Sequence, residues 1–272
     1  MFHIVAVPLP GFTESTFTHD GLTRPVYAGG DGPAVIVIHE VPGLHPEVVA
    51  FAQRVVDAGF SVRMPSLFGT PGRAVGVGYT IETMAKVCVA KEFTALALDR
   101  TSPIIGWLRR LAVEAHQECG GPGVGAVGMC FTGGFALGMM VDDTMLAPVL
   151  SQPSLPFPVS PARRRSVGVS DADLARVKER AAQGACLLGL RFTEDKAVPP
   201  ERFDALRREL GDAFISVEID SSKGNRYGIP RTAHSVLTQH FVDEPGHPTR
   251  AALDQVLAFF TERLRPPSDS SG

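Results

Sequence analysis

Residues 128–134, GMCFTGG, place Cys130 in a glycine-rich turn. The preceding residues VGAVGM predict a strand and the following GGFALGMMV predict a helix, so the turn between them must be sharp. Glycines suit such a turn because strand and helix crowd together there. A thiol at this point would lie at a helix N-terminus, where the helix dipole and free backbone amides favour a thiolate and can bind an oxyanion. Cys130 is therefore a candidate nucleophile, and the alternative is a small buried hydrophobic residue.

A thiol nucleophile needs a general base, and the base needs an acid that orients it. The predicted strand ACLLGLR is followed by FTEDKAVPPERF, which carries Glu194 and Asp195. The predicted strand FISVEI is followed by a long loop that carries His234. Taken singly, Asp195 could be a turn or capping residue and His234 a surface group. Together with Cys130 they follow the order nucleophile, acid, histidine of the α/β-hydrolases.

The other histidines and cysteines do not indicate a second reactive centre. His39 and Glu40 begin an HE pair, but the next residues VPGLH do not complete the zinc motif HExxH. The other three cysteines lie in or beside predicted helices or inside a predicted strand, and no CxxC pair occurs, so reduced structural thiols are expected for Cys88, Cys119 and Cys186. We therefore expect neither a metal nor an organic cofactor.

The elements that must position these residues alternate between short apolar strands and amphipathic helices. AVIVIHE (34–40) and FSVRMP (60–65) predict buried strands around a helix, and the same alternation continues to TRAALDQVLAFFTERL (249–264). Such a pattern predicts the α/β class, with a mostly parallel sheet flanked by helices on both faces. We expect one domain over residues 1–265, a disordered tail over 266–272, and irregular loops at 66–82 and 152–169 that border the site.

Composition and charge exclude several classes of function. The 272 residues are 44% hydrophobic and 20% charged, with 26 basic and 29 acidic side chains, so no nucleic-acid partner is indicated. The arginine run at 163–165 is short and is interpreted as a solvated loop. No stretch of about 18 apolar residues predicts a membrane span. The first residues lack a basic, signal-like region, so a cytoplasmic location is expected. We also expect a monomer or a weak homodimer.

Four local patterns carry a resemblance to a known family. HEVPGL, GMCFTGG, FTEDKAVP and AHSVL occur in this order, and the chain from roughly residue 20 to 265 resembles the dienelactone hydrolases, a family of α/β-hydrolases. The resemblance implies Cys130 as nucleophile, His234 as base and Asp195 as the orienting acid. It also implies that Glu40 pairs with the resting thiol and moves when substrate arrives.

The resemblance further implies an oxyanion hole and a polar substrate pocket. The backbone N–H groups of Val41 and Phe131 would bind the oxyanion, and Ser235 matches a polar position in the family's pocket. Family members that bind a substrate carboxylate use an arginine before the nucleophile and another four residues after the histidine. This chain has Thr238 at the second position and offers only Lys86 and Lys91 near the first. Lysine lacks the bidentate fork of arginine, so the sequence leaves open whether the substrate carries a carboxylate.

These features together predict a hydrolase of the carboxymethylenebutenolidase type. It would cleave a small ester or lactone through a Cys-His-Asp triad and an acyl-cysteine intermediate. Two alternatives remain from the sequence: a thioesterase or amidase with the same triad, and a scaffold that binds a small ligand without turnover.

Overall fold

The computed structural model of the protein describes residues 8–89 and 102–265. Within them, eight strands form one sheet in the order β1-β2-β4-β3-β5-β6-β7-β8. The strands are β1 Thr13–His19, β2 Leu22–Gly29, β3 Ala34–Ile38, β4 Ser61–Pro65, β5 Val124–Met129, β6 Met145–Ser151, β7 Leu187–Phe192 and β8 Phe214–Ile219. The α-helices are α1 Pro46–Asp57, α2 Val77–Val89, α3 Pro103–Cys119, α4 Phe135–Met139, α5 Pro161–Arg165, α6 Asp171–Ala182, α7 Pro200–Leu210 and α8 Pro248–Leu264.

The central and later strands are parallel, as the alternating pattern predicts. From β4 through β3, β5, β6 and β7 to β8, every neighbouring pair is parallel. β1 and β2 form an antiparallel hairpin that pairs with the edge of β4, and this hairpin was not predicted from the sequence. Because the parallel strands all end at one edge of the sheet, the loops that follow them meet there.

Helices cover both faces of the sheet, which confirms the predicted α/β arrangement. β3 is buried along its whole length, and its side chains alternate between two hydrophobic cores. Val35 and Val37 pack in the core under α1 and α8, whereas Ile36 and Ile38 pack in the core under α3, α4, α6 and α7. A strand buried on both faces explains why AVIVI shows no polar alternation.

The structure corrects some of the predicted elements. The helix predicted over GGFALGMMV is shortened to the five residues of α4, and Cys130–Thr132 before it form a 3-10 turn. The loop predicted at 66–82 contains the start of α2, and the arginine run at 163–165 lies in α5, where Arg164 pairs with Glu201 at 2.9 Å. The predicted tail 266–272 and Lys91 lie outside the described residues.

Candidate active site

The turn after β5 holds Cys130 in a strained backbone conformation. Cys130 has φ of 53°, in the left-handed region that non-glycine residues rarely adopt. A Cβ added at Gly128 would collide with the carbonyl oxygen of Thr132, and one added at Gly133 would lie 2.5 Å from Cα of Pro153. The two glycines are therefore required because the neighbouring backbone fills the space that a side chain would occupy.

A buried hydroxyl fixes this turn to the centre of the sheet. Thr132 Oγ1 accepts a hydrogen bond from the Met129 N–H at 3.0 Å and lies 3.0 Å from the carbonyl oxygen of Ile38. Ile38 is the last residue of β3, so Thr132 joins the ends of two neighbouring strands. The thiol that follows Met129 is partly exposed above this edge of the sheet.

His234 and Asp195 form the other part of the site. His234 Nδ1 lies 2.6 Å from Asp195 Oδ2, and Asp195 Oδ1 accepts from the Ala197 N–H at 2.9 Å. Burial alone would lower the pKa of His234, but the nearby Cys130 and the Asp195 carboxylate raise it well above its ordinary value. Asp195 follows β7 and His234 lies in the loop after β8, so the fold brings together the three residues that the sequence predicted as a triad.

Glu40 is buried in a cage of polar groups. Its Oε2 accepts from Ser235 Oγ at 2.7 Å and from Gln152 Nε2 at 3.2 Å. Its Oε1 accepts from Thr238 Oγ1 and lies 3.2 Å from His45 Nε2. Burial would raise the pKa of Glu40, but His45 and the two hydroxyls lower it, so the carboxylate is ionised.

The thiol and Glu40 are not paired in this structure. The described hydrogen bonds of Glu40 go to the cage, and none reaches Cys130. Cys130 Sγ instead lies 3.5 Å from Ser154 Oγ, and the Ser154 N–H donates to the Cys130 carbonyl oxygen at 3.0 Å. The pairing of Glu40 with the resting thiol, which the resemblance implies, is therefore absent from this conformation.

The other residues predicted for the site lie beside it. Ser235 and Thr238 are buried and turned towards Glu40. Val41 directly follows Glu40, and its N–H donates to no described residue; the Val41–Pro42 peptide bond is cis. The ring of Phe131, next to Cys130, lies at centroid distances of 6.0 and 6.5 Å from the rings of Phe68 and Phe157. These two lie in the segments 66–82 and 152–169, which were expected to border the site.

Sequence reasoning missed three residues that contact the site: His45, Gln152 and Ser154. His45 precedes α1 in the pattern HPE, which on its own indicates a helix start. Gln152 has φ of 37° directly after β6, a conformation that its sequence does not signal. Ser154 lies in a proline-rich loop that offers no periodic pattern. Among the described residues, no cluster of three or more His, Cys, Asp or Glu side chains could hold a metal ion, and no helix is long and apolar enough to cross a membrane.

Solved structures similar to this chain are α/β-hydrolases. A candidate dienelactone hydrolase from Klebsiella pneumoniae subsp. pneumoniae is 18% identical with a TM-score of 0.63, the alignment covering 92% of this chain and 98% of that chain. The dienelactone hydrolase from Anabaena variabilis is 18% identical with a TM-score of 0.58, and the alignment covers 94% of this chain and 100% of that chain. A dienelactone hydrolase-like promiscuous phosphotriesterase from metagenomic libraries is 16% identical with a TM-score of 0.60, and the alignment covers 93% of this chain and 98% of that chain. At these identities the likeness shows the fold alone.

The family is shown by the sequence itself. A comparison with curated proteins finds no match. The family model described as "Dienelactone hydrolase family" matches residues 22–262, which include every residue of the site described above. This chain therefore belongs to the dienelactone hydrolase family, whose fold is that of the α/β-hydrolases.

Proposed function

We propose that the protein hydrolyses a small carboxylic ester or lactone through an acyl-cysteine intermediate. One observation carries this proposal: His234 Nδ1 lies 2.6 Å from the buried carboxylate of Asp195, and Cys130, which raises the pKa of His234, is held in a strained turn. A binding scaffold has no need of an imidazole oriented in this way. A hydrolase needs it to accept and return a proton during acyl transfer.

The reaction begins with attack of the Cys130 thiolate on the substrate carbonyl carbon. The resulting oxyanion accepts hydrogen bonds from the backbone N–H groups of Phe131 and Val41. His234, protonated by the thiol, donates its proton to the leaving alkoxide as the C–O bond breaks. His234 then takes a proton from water, the hydroxide attacks the acyl-cysteine, and the thiolate is released with the acid product.

The electrostatics of His234 support this sequence of proton transfers. Its pKa is raised by Cys130 and Asp195, so the imidazolium form persists above pH 6.5, the ordinary value of a histidine. An imidazolium beside a thiolate is the resting ion pair that a cysteine hydrolase uses. Asp195 Oδ2, 2.6 Å from His234 Nδ1, orients the imidazole for these transfers.

The groups around the site favour an uncharged substrate. Thr238, at the position where family members that bind a carboxylate have an arginine, donates its hydrogen bond to Glu40. Phe131 and its aromatic neighbours form an apolar surface beside the thiol. Ser235 and Lys91 are the candidate polar contacts to substrate. The Ser235 hydroxyl donates to Glu40 at 2.7 Å, so it would contact substrate as an acceptor, and Lys91 would supply a charge without a bidentate fork.

The proposal is tested by hydrolysis of para-nitrophenyl acetate and of a small unsaturated lactone. We expect the wild type to turn over both, and Cys130→Ala to lose activity by about 10³-fold or more, because the covalent route is removed. Cys119→Ala is the matched control, since Cys119 is a partly buried thiol at the end of α3. If the wild type hydrolyses only the matching thioester or amide, that substrate class replaces the ester in the proposal. A wild type that hydrolyses none of these substrates would contradict the proposal.

A further inference from the structure

Two buried histidines close to Glu40 have opposite hydrogen-bonding patterns. His39 Nε2 accepts from the Leu67 N–H at 3.0 Å, while its Nδ1 faces the Glu40 carbonyl oxygen at 3.0 Å, so this ring carries one proton and is neutral. His45 has a carboxylate oxygen at each ring nitrogen: Glu40 at Nε2 and Glu47 at Nδ1. Ionised carboxylates only accept, so both nitrogens of His45 must donate, and the ring is an imidazolium.

His45 is the counter-ion of a buried charge. Among the described residues, it is the one side chain able to carry a positive charge that contacts the carboxylate of Glu40. The remaining partners of this carboxylate are neutral groups: the hydroxyls of Ser235 and Thr238 and the amide of Gln152. A buried carboxylate without a counter-ion is strongly disfavoured, so the charge on His45 decides whether Glu40 remains ionised in its cage.

Glu40 in turn holds the segment that carries the catalytic base. Ser235 is the residue next to His234 and Thr238 is four residues beyond it, and both donate to Glu40. Gln152 extends the same connection, because its Oε1 accepts from the Val236 N–H at 3.3 Å. The polar side chains of residues 235–238 are therefore tied through one carboxylate to the segment that follows β3, while Val236 and Leu237 pack in the hydrophobic core.

We propose that charged His45 is a positioning residue for His234: it holds Glu40 ionised, and Glu40 fixes the segment 233–240 in the catalytic geometry. This role rests on the proposed function, since it is a role in the same acyl transfer. It makes the reaction depend on a proton that is carried by neither the nucleophile nor the base.

The pH range follows from the groups that face His45 and Glu40. These are Glu40, Glu47 and His39 around His45, with His240 near enough to Glu40 to interact electrostatically. Burial would lower the pKa of His45, but the two carboxylates raise it above 6.5, so the imidazolium persists through neutral pH and is lost as the pH rises through the raised value. Hydrolysis should therefore decline on the alkaline side as His45 deprotonates.

The most specific test is the variant Glu47→Gln. Glu47 is about half exposed and lies outside the Glu40 cage, so the substitution removes one of the two carboxylates that hold the proton on His45. We expect the alkaline decline in kcat for para-nitrophenyl acetate to move to lower pH, with KM little changed. A merely structural Glu47 would leave this midpoint in place, and an unmoved midpoint would overturn the proposal.

A second test measures how firmly residues 233–240 are held, independently of activity. His45→Asn keeps a residue suited to begin α1 but removes the positive charge. We expect faster amide hydrogen exchange in residues 233–240 and a kcat lower by about tenfold. The matched control is His247→Asn, because His247 is also buried, begins α8 before a proline, and contacts the residue two positions later at 2.7 Å, Thr249.

The outcomes separate the two proposals. Faster exchange in 233–240 for His45→Asn, but not for His247→Asn, supports the role of His45. Unchanged exchange in that segment overturns it, even if activity falls through lost stability. A wild type without esterase activity would contradict the proposed function alone, because the exchange result still decides whether His45 positions the loop.

Discussion

At the scale of single residues, partners decide what each polar side chain can do. His39 and His45 are both buried and lie six positions apart in the chain, yet one is neutral and the other is charged. Nothing in HEVPGLHPE shows this difference, because it depends on the Leu67 N–H and on two carboxylates. The order of Cys130, Asp195 and His234 along the chain predicts a triad, and that role stays a proposal. Ser154 and Gln152 reach the site through loops without a sequence signal.

Ser154 gives the first prediction at this scale. Its hydroxyl lies 3.5 Å from Cys130 Sγ and can donate to the thiolate. Ser154→Ala should slow alkylation of Cys130 by iodoacetamide at neutral pH by about 3–10-fold, the effect of one weak hydrogen bond. Ser61→Ala, at a buried serine whose Oγ accepts from Arg63, is the control and should alkylate like the wild type. Equal rates for all three proteins would show that Ser154 does not hold the thiol.

At the scale of elements, the strands buried on both faces were the easiest to predict. VGAVGM agrees with β5 residue for residue, since continuous apolar runs bounded by polar or glycine residues mark such strands. FISVEI also agrees with β8 residue for residue, although that strand lies at the edge of the sheet and is only partly buried. The hairpin of β1 and β2 was missed because β1 is largely exposed and rich in threonine and serine, with one buried residue, Phe17. Its position is set by pairing with β4 rather than by a hydrophobic pattern.

The glycines of the turn after β5 give a prediction with an internal control. A Cβ at Gly133 would lie 2.5 Å from Cα of Pro153, whereas one at Gly134 would find its nearest neighbour at 3.9 Å. Gly133→Ala should destabilise the fold by about 1–3 kcal/mol and displace Cys130, and Gly134→Ala should be close to neutral. Urea unfolding and esterase assays of both variants measure this. Equal stability of the two variants would contradict the crowding described for this turn.

A buried arginine of α7 holds the loop that carries Ser154 and Phe157. Arg202 donates at 2.5 to 3.1 Å to four carbonyl oxygens, those of Pro153, Pro156, Arg163 and Ser166. Arg202→Met would leave these acceptors without their donor, so we expect a loss of about 2–4 kcal/mol in unfolding free energy together with lower kcat/KM. Arg208→Met, at an exposed arginine of the same helix, should change neither quantity by much. A similar effect of both substitutions would mean that the loop is held by other contacts.

At the scale of the whole molecule, two hydrophobic cores enclose a sheet whose edge carries all the ionisable groups of the site. Burying His39 in this arrangement lowers its pKa to about 4. Between pH 6.5 and 4 the unfolded chain binds a proton at this position that the folded chain does not. The contribution of neutral His39 to the stability of the fold is therefore complete above pH 6.5 and is lost as the pH falls towards 4.

Acid unfolding tests this consequence. The contribution of His39 is on the order of 3 kcal/mol between the two limits. Urea unfolding at pH 6.5 and at pH 4.5 should show a smaller pH dependence for His39→Gln than for the wild type. His19→Gln, at a partly exposed histidine of β1, should retain the wild-type dependence. The same slope in His39→Gln and wild type would show that His39 is not the group responsible.

Acylation of Cys130 during turnover is the step on which the proposed hydrolysis depends. The most direct measurement is the intact mass of the protein after rapid acid quenching with para-nitrophenyl acetate, followed by peptide mapping of the acyl group. We expect one acetyl adduct on the peptide that contains residues 128–134 in the wild type, and none in Cys130→Ala. An adduct on another residue, or full hydrolysis by Cys130→Ala without any adduct, would contradict the account.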